Sequence, residues 1–398
     1  MLNVVSKDEA AEIVKSKTNR AVPESEKVNI ENALGRTLCE DIVSPENVPA
    51  FDRTTVDGYA VRAEDTFGSS ASIPAQLEIA GEILMGENAG FSLESGKCVK
   101  ISTGGMLPVG ANAAVMVEHT DNADGLCLIY KSVAPYENVT KAGDDIAVGE
   151  TVLKKGTVIT PAEIGILASL GIYEIPVYKK PVIAIISTGD EIVKGDIKAG
   201  QIRDVNTYLL SSAVQSFGCT PYVYGAVRDD YEEIRSAVSV CLEKADAVIV
   251  SGGSSAGARD MTVKIIDELG EVLFHGIAMK PGKPTIFGTV NGKPVFGLPG
   301  HPLAAYFVFR LIVCEYIKQI MNLPEEKSIK NAVLSVNIPS NHGREEYLCV
   351  KLNENGEAVP LHTKSGIISV LRQAEGFIRI PRDSEGIDRG TTVGIYRL

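Results

Sequence analysis

Between Pro181 and Met321, short apolar runs alternate with segments of helical periodicity, and this alternation restricts the fold more than any other feature of the chain. Val182–Ile186 is apolar without interruption, as a strand buried on both faces requires. Asn206 offers an N-cap for a helix through Phe217, Tyr222–Val227 reads as a second strand, Tyr231–Ala245 as a helix, and Asp246–Val250 leads into a third strand. Asp260 offers a cap for a helix ending near Gly270. A β pair around the Asn291-Gly292 turn is then followed by a long helix after Pro302. Such alternation implies a doubly wound, mostly parallel α/β sheet with helices on both faces, whose ligands bind outside the carboxyl ends of the strands.

Three polar, glycine-rich loops fall at those ends. They are Ser187-Thr188-Gly189-Asp190-Glu191, Ser251-Gly252-Gly253-Ser254-Ser255-Ala256-Gly257-Ala258-Arg259-Asp260 and Gly297-Leu298-Pro299-Gly300-His301-Pro302. Glycines let backbone N–H groups converge on an anion, and a following helix adds the positive end of its dipole. One such loop alone is better explained by a tight strand-to-helix turn. Three on one edge favour a shared pocket, with Ser251, Gly252, Gly253, Pro299 and Gly300 as substrate contacts. None closes with Gly-Lys-Ser/Thr, and no Gly-x-Gly-x-x-Gly is present, which disfavours nucleotide-triphosphate and dinucleotide motifs. Lys280-Pro281-Gly282-Lys283-Pro284 sets two lysines on a stiff, turned backbone between apolar strands, a pattern suited to an oxyanion.

Five carboxylates form the next group of candidates. Glu191, Asp229 and Asp260 fall at strand ends of the α/β segment, Asp57 lies in Phe51-Asp52-Arg53-Thr54-Thr55-Val56-Asp57-Gly58-Tyr59-Ala60-Val61, and Asp145 in Gly143-Asp144-Asp145-Ile146. Beside an anionic ligand they would repel it unless Mg²⁺ neutralised both. The plainer alternatives are an N-cap for Asp260 and turn or solvated positions for Asp145 and Asp229. Thr103, in Ile101-Ser102-Thr103-Gly104-Gly105, can donate to an anion or close a turn. His275 reads as structural, and His301 stays open because it sits in a candidate binding loop.

The rest of the chain has a different texture. Ser6-Lys7-Asp8-Glu9 and Thr160-Pro161-Ala162-Glu163 have the form of capping boxes, the second for a helix running to Leu170 and stopping at Gly171. A second helix is expected over Val28 to Leu34, with Gly35 as its C-cap. From about Phe51 to Lys141, β-branched runs at Leu77–Ile83, Ala114–Val117 and Leu126–Val133 alternate with Gly, Pro and Asn, indicating a β-rich insert. Ile329 to Leu398 reads as short strands of a small β-barrel or sandwich. At 398 residues the chain calls for two to four domains.

Composition limits the chemistry. Hydrophobic residues at 44 % and charged residues at 23 % exclude global disorder, and no apolar run is long enough for a membrane span. The start, MLNVVSKDEAAEIVKSK, lacks the pattern of a secretory signal. A net charge of −12 without a dense basic run disfavours nucleic acid as a partner. The seven cysteines are Cys39, Cys98, Cys127, Cys219, Cys241, Cys314 and Cys349. Their odd number and lack of C-x-x-C spacing argue against a disulfide framework or a zinc site, which fits a reducing cytoplasm.

Pro-Ala-Phe-Asp with Val-Asp-Gly-Tyr-Ala-Val-Arg, Ser-Thr-Gly-Asp-Glu, Ser-Gly-Gly-x-Ser-x-Gly-x-x-Asp, Met-Lys-Pro-Gly-Lys-Pro and Gly-Leu-Pro-Gly-His-Pro occur here in that order. This ordered set spans nearly the whole chain and resembles the molybdopterin molybdenumtransferase family, known also from the E domain of gephyrin. The resemblance implies a multidomain α/β plus β protein. Residues 1–47 with 143–177 would form a split N-terminal linker domain and 48–142 the β-rich insert. Residues 178–324 would form the α/β molybdopterin-binding domain and 325–398 a C-terminal β-barrel. It implies an elongated homodimer, with the molybdopterin adenylyltransferase as a further partner. The implied reaction joins molybdate to adenylylated molybdopterin, with Mg²⁺, to give molybdenum cofactor and AMP. By position, Asp57, Asp145, Glu191, Asp229 and Asp260 fall on catalytic positions, with Glu191 and Asp260 assigned to Mg²⁺ or pterin-phosphate handling. Thr103 also falls on a site position, Lys280 and Lys283 on anion contacts, and Arg344 and Ser365 on molybdate-side contacts from the tail.

The chain departs from the family pattern in places. Thr140-Lys141-Ala142 stands where a run of arginines is usual, His301 where Asn is usual, and Ala304 where Ser often appears, while the segment before Ser365 lacks a Gln-rich lead-in. Two other readings compete: a dimeric, peptide-binding scaffold of the gephyrin E-domain type, and a molybdopterin adenylyltransferase. The full set of flanking domains favours the insertion step, and no linker or second catalytic domain favours a scaffold.

Overall fold

Uninterrupted apolar runs build the central sheet of the computed structural model, which describes residues 4–18, 24–193, 195–252, 256–321, 323, 325–361 and 364–398, the side chains of 256–259 excepted. Its strands are β1 (Val182–Thr188), β2 (Thr220–Val227), β3 (Ala247–Gly252), β4 (Glu271–His275), β5 (Ile286–Val290) and β6 (Lys293–Leu298). They lie in the order β2-β1-β3-β6-β5-β4. β2, β1, β3 and β6 are parallel, and β5 runs antiparallel to both its neighbours. β1 shows why Val182–Ile186 is apolar at every position. Ile183 and Ile185 enter one core with Leu210, Val214, Phe296 and the helices after Pro302, whereas Ala184 and Ile186 enter a second core with Ile234, Val238 and Ile265. Each buried isoleucine contributes on the order of 2 kcal/mol of transfer free energy, so a charge at Ile185 would break the layer.

The connecting helices are α1 (Asn206–Ser216), α2 (Tyr231–Lys244) and α3 (Ala256–Leu269). Two expected caps are corrected. Asn206 does not cap α1: it is the first helical residue, Val205 holds the cap position without a side-chain bond, and Asp204 Oδ1 accepts the Thr207 N–H at 3.1 Å. The helix starts where Asp204 can serve its first turn, which frees the Asn206 amide for tertiary contacts. Asp260 is likewise no cap, because α3 already begins at Ala256 and Asp260 sits exposed in its second turn. The Asn291-Gly292 hairpin forms with both residues at positive φ, 52° and 78°, as a type I′ turn demands. After Pro302 the helix is interrupted: Pro302–Val308 and Cys314–Met321 are α-helical, with a π-helical turn at Phe309–Val313 between them.

The chain divides into two units, residues 27–177 and residues 1–26 with 178–398. In the larger unit, the Ser6 capping box starts the Lys7–Lys17 helix, whose Ala10 and Val14 join the first core. The tail forms short strands: Glu345–Leu352 pairs antiparallel with Ala358–Pro360 and Gly376–Ile380, and takes Met279–Lys280 as a parallel neighbour. This last pairing fixes the lysine turn against the tail.

The smaller unit contains a six-stranded sheet in the order Ala113–Met116, Gly58–Val61, Lys97–Ile101, Ala75–Ile83, Leu126–Ile129, Thr120–Ala123. This is the β-rich stretch expected from sequence. Its core includes Tyr59, Val61, Leu77, Cys98, Val115 and Ile129. A second core gathers Leu38, Ile42, Leu153, Ile159, Leu167 and Ile175, around the Pro161–Ser169 helix that the Thr160 capping box begins. The helix expected over Val28 to Leu34 is absent. Ser25–Asn29 is a strand paired with Glu174–Tyr178, followed by a single 3₁₀ turn at Ile30–Asn32. So short a helix is marginal alone, and the pairing claims its first turn. Among the described residues no helix is long and apolar enough to cross a membrane.

Candidate functional site

Parallel pairing brings the ends of β1 and β3 side by side, with Ser187 opposite Ser251 and Thr188 opposite Gly252. A Cβ on Gly252 would lie 2.2 Å from the Thr188 carbonyl oxygen, so only glycine admits this approach. A buried polar network lies beneath these ends. Ser187 Oγ donates to Asp204 Oδ1 at 3.1 Å and shares a 2.8 Å bond with Thr207 Oγ1. Asn206 Nδ2 donates to Ser251 Oγ and to the Gly300 carbonyl, both at 2.9 Å. Asn206 therefore ties the second glycine loop to the third. Sequence reasoning missed Asp204 and Asn206 as site-forming residues, since nothing local marks a side chain that joins loops so far apart in the chain.

Carboxylates gather at the ends of β1 and β2. The Asp229 N–H donates to Asp190 Oδ1 at 3.2 Å, and the Glu191 carboxylate folds back over Gly189. Asp229 Oδ1 is buried and has no hydrogen-bond partner among the described residues. Burial raises the Asp229 carboxyl above its ordinary value. The Thr188 hydroxyl opposes that rise, and the negative charges of Asp190 and Glu191 add to it. Asp260 stands exposed on α3, and Gly253 lies outside the described residues.

The lysine turn forms a second part of the site, within the same unit. A cavity of about 810 Å³ is lined by Lys280, Lys283, Pro299, His301, Arg344 and Ser365, above an apolar wall that includes Leu303, Phe307 and Tyr347. The structure thus brings together residues predicted from four separate stretches of sequence. Their electrostatics differ. Lys280 Nζ pairs at 2.7 Å with Glu346, which is buried and also accepts from Ser340 Oγ at 2.9 Å. Lys283 and Arg344 make no ion pair among the described residues, so their charge remains for a guest. The Thr285 hydroxyl donates to the Gly282 carbonyl, and Ile277 N–H donates to the Lys283 carbonyl at 2.9 Å, which holds the turn rigid. Ser365 is fixed twice: its carbonyl accepts from Leu303 N–H at 3.1 Å, and its Oγ lies 3.0 Å from His301 Nδ1. The third glycine loop links the two parts, because Gly300 meets Asn206 while Pro299 and His301 line the cavity.

In the unit 27–177, Asp57 Oδ1 accepts the Thr103 N–H at 2.8 Å, so these two predicted residues meet. Asp145 does not join them. It borders a separate cavity of about 500 Å³ with Glu150, Gly165 and Ser169.

Three family models match successive parts of the chain: the MoeA N-terminal region (domain I and II) over residues 5–171, the "Probable molybdopterin binding domain" over 184–319, and the MoeA C-terminal region (domain IV) over 331–398. A molybdopterin biosynthesis protein of Methanocaldococcus jannaschii is 38 % identical, across 100 % of this chain and 98 % of its own length. The chain belongs to the MoeA family. The molybdopterin molybdenumtransferase of Bacillus subtilis is 34 % identical over 94 % of this chain and 90 % of its own. A crystal structure of the molybdopterin biosynthesis MoeA protein from Pyrococcus horikosii superimposes with a TM-score of 0.87 at 40 % identity, covering 99 % of each chain. The multidomain MoeA fold with mixed α/β content accounts for the texture changes along the sequence. Glu191, Asp229, Ser251, Asp260, Lys280 and Lys283 lie in the part matching the molybdopterin-binding model, Arg344 and Ser365 in the MoeA C-terminal region, and Asp57, Thr103 and Asp145 in the MoeA N-terminal region.

Proposed function

We infer that this chain is a molybdopterin molybdenumtransferase, an enzyme of molybdenum cofactor biosynthesis that inserts molybdate into adenylylated molybdopterin and releases AMP. The observation that carries the reading is the basic cavity: Lys283 and Arg344 offer uncompensated charge and Ser365 a hydroxyl at one place, as a tetrahedral dianion requires. The rim is cationic although the chain as a whole carries −12. Lys280, Lys283, Arg344 and Ser365 hold the oxyanion, while Ser251, Gly252, Gly253, Pro299 and Gly300 receive the pterin phosphate at the strand ends. Thr103 is a further substrate contact. Asp57, Asp145, Glu191, Asp229 and Asp260 act at the pyrophosphate bond to AMP.

Glu191 and Asp260 would hold Mg²⁺, a cation suited to carboxylate oxygens, with Asp190 and Asp229 beside Glu191 adding negative charge, although among the described residues no three acidic, histidine or cysteine side chains form a ready metal cluster. When bound, the ion neutralises charge on the pyrophosphate oxygens. The chain's own residues orient the substrate, hold molybdate near the dithiolene sulfurs and keep the loops apart from bulk water. A covalent nucleophile is not needed. The four-domain division given above, the C-terminal barrel, a cytoplasmic homodimer and contact with the molybdopterin adenylyltransferase belong to the same reading. The adenylyltransferase alternative fits less well, because the cavity draws Arg344 and Ser365 from the tail. No surface of the described residues specifically favours the scaffold. The test is product analysis with adenylylated molybdopterin, molybdate and Mg²⁺: AMP and molybdenum cofactor should form together, and the absence of both would refute the assignment.

A further inference from the structure

We propose that His301 is a positioning residue that makes oxyanion binding in the basic cavity proton-linked, by setting the direction of the Ser365 hydroxyl. The proposal rests on the oxyanion reading of that cavity and adds a regulator to it. The juxtaposition is His301 Nδ1 at 3.0 Å from Ser365 Oγ, with both residues lining the cavity beside Lys283 and Arg344. The Ser365 backbone cannot swing away to relax the contact, because its carbonyl accepts from Leu303 N–H at 3.1 Å on the turn that follows His301. The His301 ring also lies against Gly366, where an added Cβ would sit 3.7 Å from its Cδ2.

A hydroxyl has one proton to give. If Nδ1 carries a lone pair, it takes the Ser365 proton, and Ser365 then presents only lone pairs to the cavity. A dianion has acceptors only, so that arrangement repels it. If Nδ1 carries a proton, it donates to Ser365 Oγ, and the Ser365 proton is free to point at the anion. Imidazolium always provides this donor, and its charge adds to the attraction. Lower pH therefore strengthens anion binding, and binding draws part of a proton from solvent onto His301.

Among the described residues few groups compete for this role. The Pro302–Val308 helix that follows His301 has no charged residue. The facing lysine turn contributes Lys280, held by Glu346, and Lys283, while the tail contributes Arg344, Glu346 and Lys364. Lysine and arginine stay charged across the range in which histidine titrates, and Glu346 is engaged by Lys280 and Ser340.

The test is calorimetric titration of the full chain with molybdate alone, at about pH 6.5 and about pH 8, in buffers of different ionisation enthalpy. Wild type should bind roughly five-fold tighter at the lower pH and take up part of a proton per molybdate. His301→Asn puts a group that does not titrate at this position, so affinity should be flat with pH and no proton should be taken up. His301→Gln provides a second variant of the same kind. Equal pH slopes in wild type and both variants would overturn the proposal while leaving the oxyanion site standing. Failure of molybdate to bind wild type at either pH would remove the oxyanion reading and this inference with it.

Discussion

Asp229 shows what a single residue gives up for function. Burial and its acidic neighbours raise its carboxyl above the ordinary value, so the folded state holds the proton more tightly than the unfolded chain does. The sign follows from linkage: stability is lost as pH rises from the ordinary carboxylate range through the raised value, and the ionised form strains the fold at neutral pH. Asp229→Asn should therefore raise the thermal midpoint at neutral pH by about one to two degrees. The gain should shrink in mild acid, and turnover should fall. Scanning calorimetry at both pH values decides it, and a variant less stable than wild type at neutral pH would contradict the account. Asn206 works in the opposite sense. Its amide donates a buried hydrogen bond to Ser251 Oγ and a half-buried one to the Gly300 carbonyl. Asn206→Ala leaves both acceptors unsatisfied and should cost about 2–3 kcal/mol in urea unfolding. It should also slow turnover by loosening two loops at once; unchanged values in both assays would show that the loops hold themselves.

At the scale of elements, the junction between the ends of β1 and β3 is the tightest constraint on the site. Gly252→Ala would place a methyl 2.2 Å from the Thr188 carbonyl and 2.3 Å from its hydroxyl, forcing the two strand ends apart. A loss of about 1–3 kcal/mol is expected, together with impaired substrate binding, because both loops start there. Wild-type stability and kinetics in that variant would mean the strands part without strain. Elements whose signals are local were legible in the sequence. The Ser6 and Thr160 capping boxes and the Asn291-Gly292 hairpin formed as their residues dictate. The β1 run and the helix after β2 followed from periodicity, whereas the helix after β3 was expected from an Asp260 cap and in fact begins four residues earlier, at Ala256. What failed was decided by partners remote in sequence. Val28 became strand because Glu174–Tyr178 pairs with it, and Asn206 left its cap to Asp204 to reach Gly300. The lysine turn was visible as a motif, but its docking through Met279–Lys280 onto Glu345–Leu352, which puts Lys280 on Glu346, was not.

The whole molecule poses a question of cooperativity that its cores answer differently. In the larger unit the tail has a core of its own, with Leu334, Val350, Ile378 and Ile395, and also contributes to a core shared with the α/β layer. Phe377 meets Phe307 edge to face at 5.4 Å and Tyr347 at 5.9 Å, and all three belong to the same core as β1 and the N-terminal helix. Removing residues 325–398 would strip that core of several aromatic contacts, each worth on the order of 1 kcal/mol beyond its buried area, and expose Phe307 to water. The unit 27–177 is built otherwise. Its cores draw only on its own residues, from Tyr59 and Val115 in one to Leu38 and Val177 in the other. The strands at its two ends, Ser25–Asn29 and Glu174–Tyr178, pair with each other, so excision leaves adjacent termini rather than a torn sheet. A fragment of residues 25–178 should therefore unfold in one cooperative transition in urea, with native-like circular dichroism. A chain ending at 324 should instead bind hydrophobic dye and melt broadly. If the fragment proved unfolded and the truncated chain compact, the assignment of independent and shared cores would be reversed.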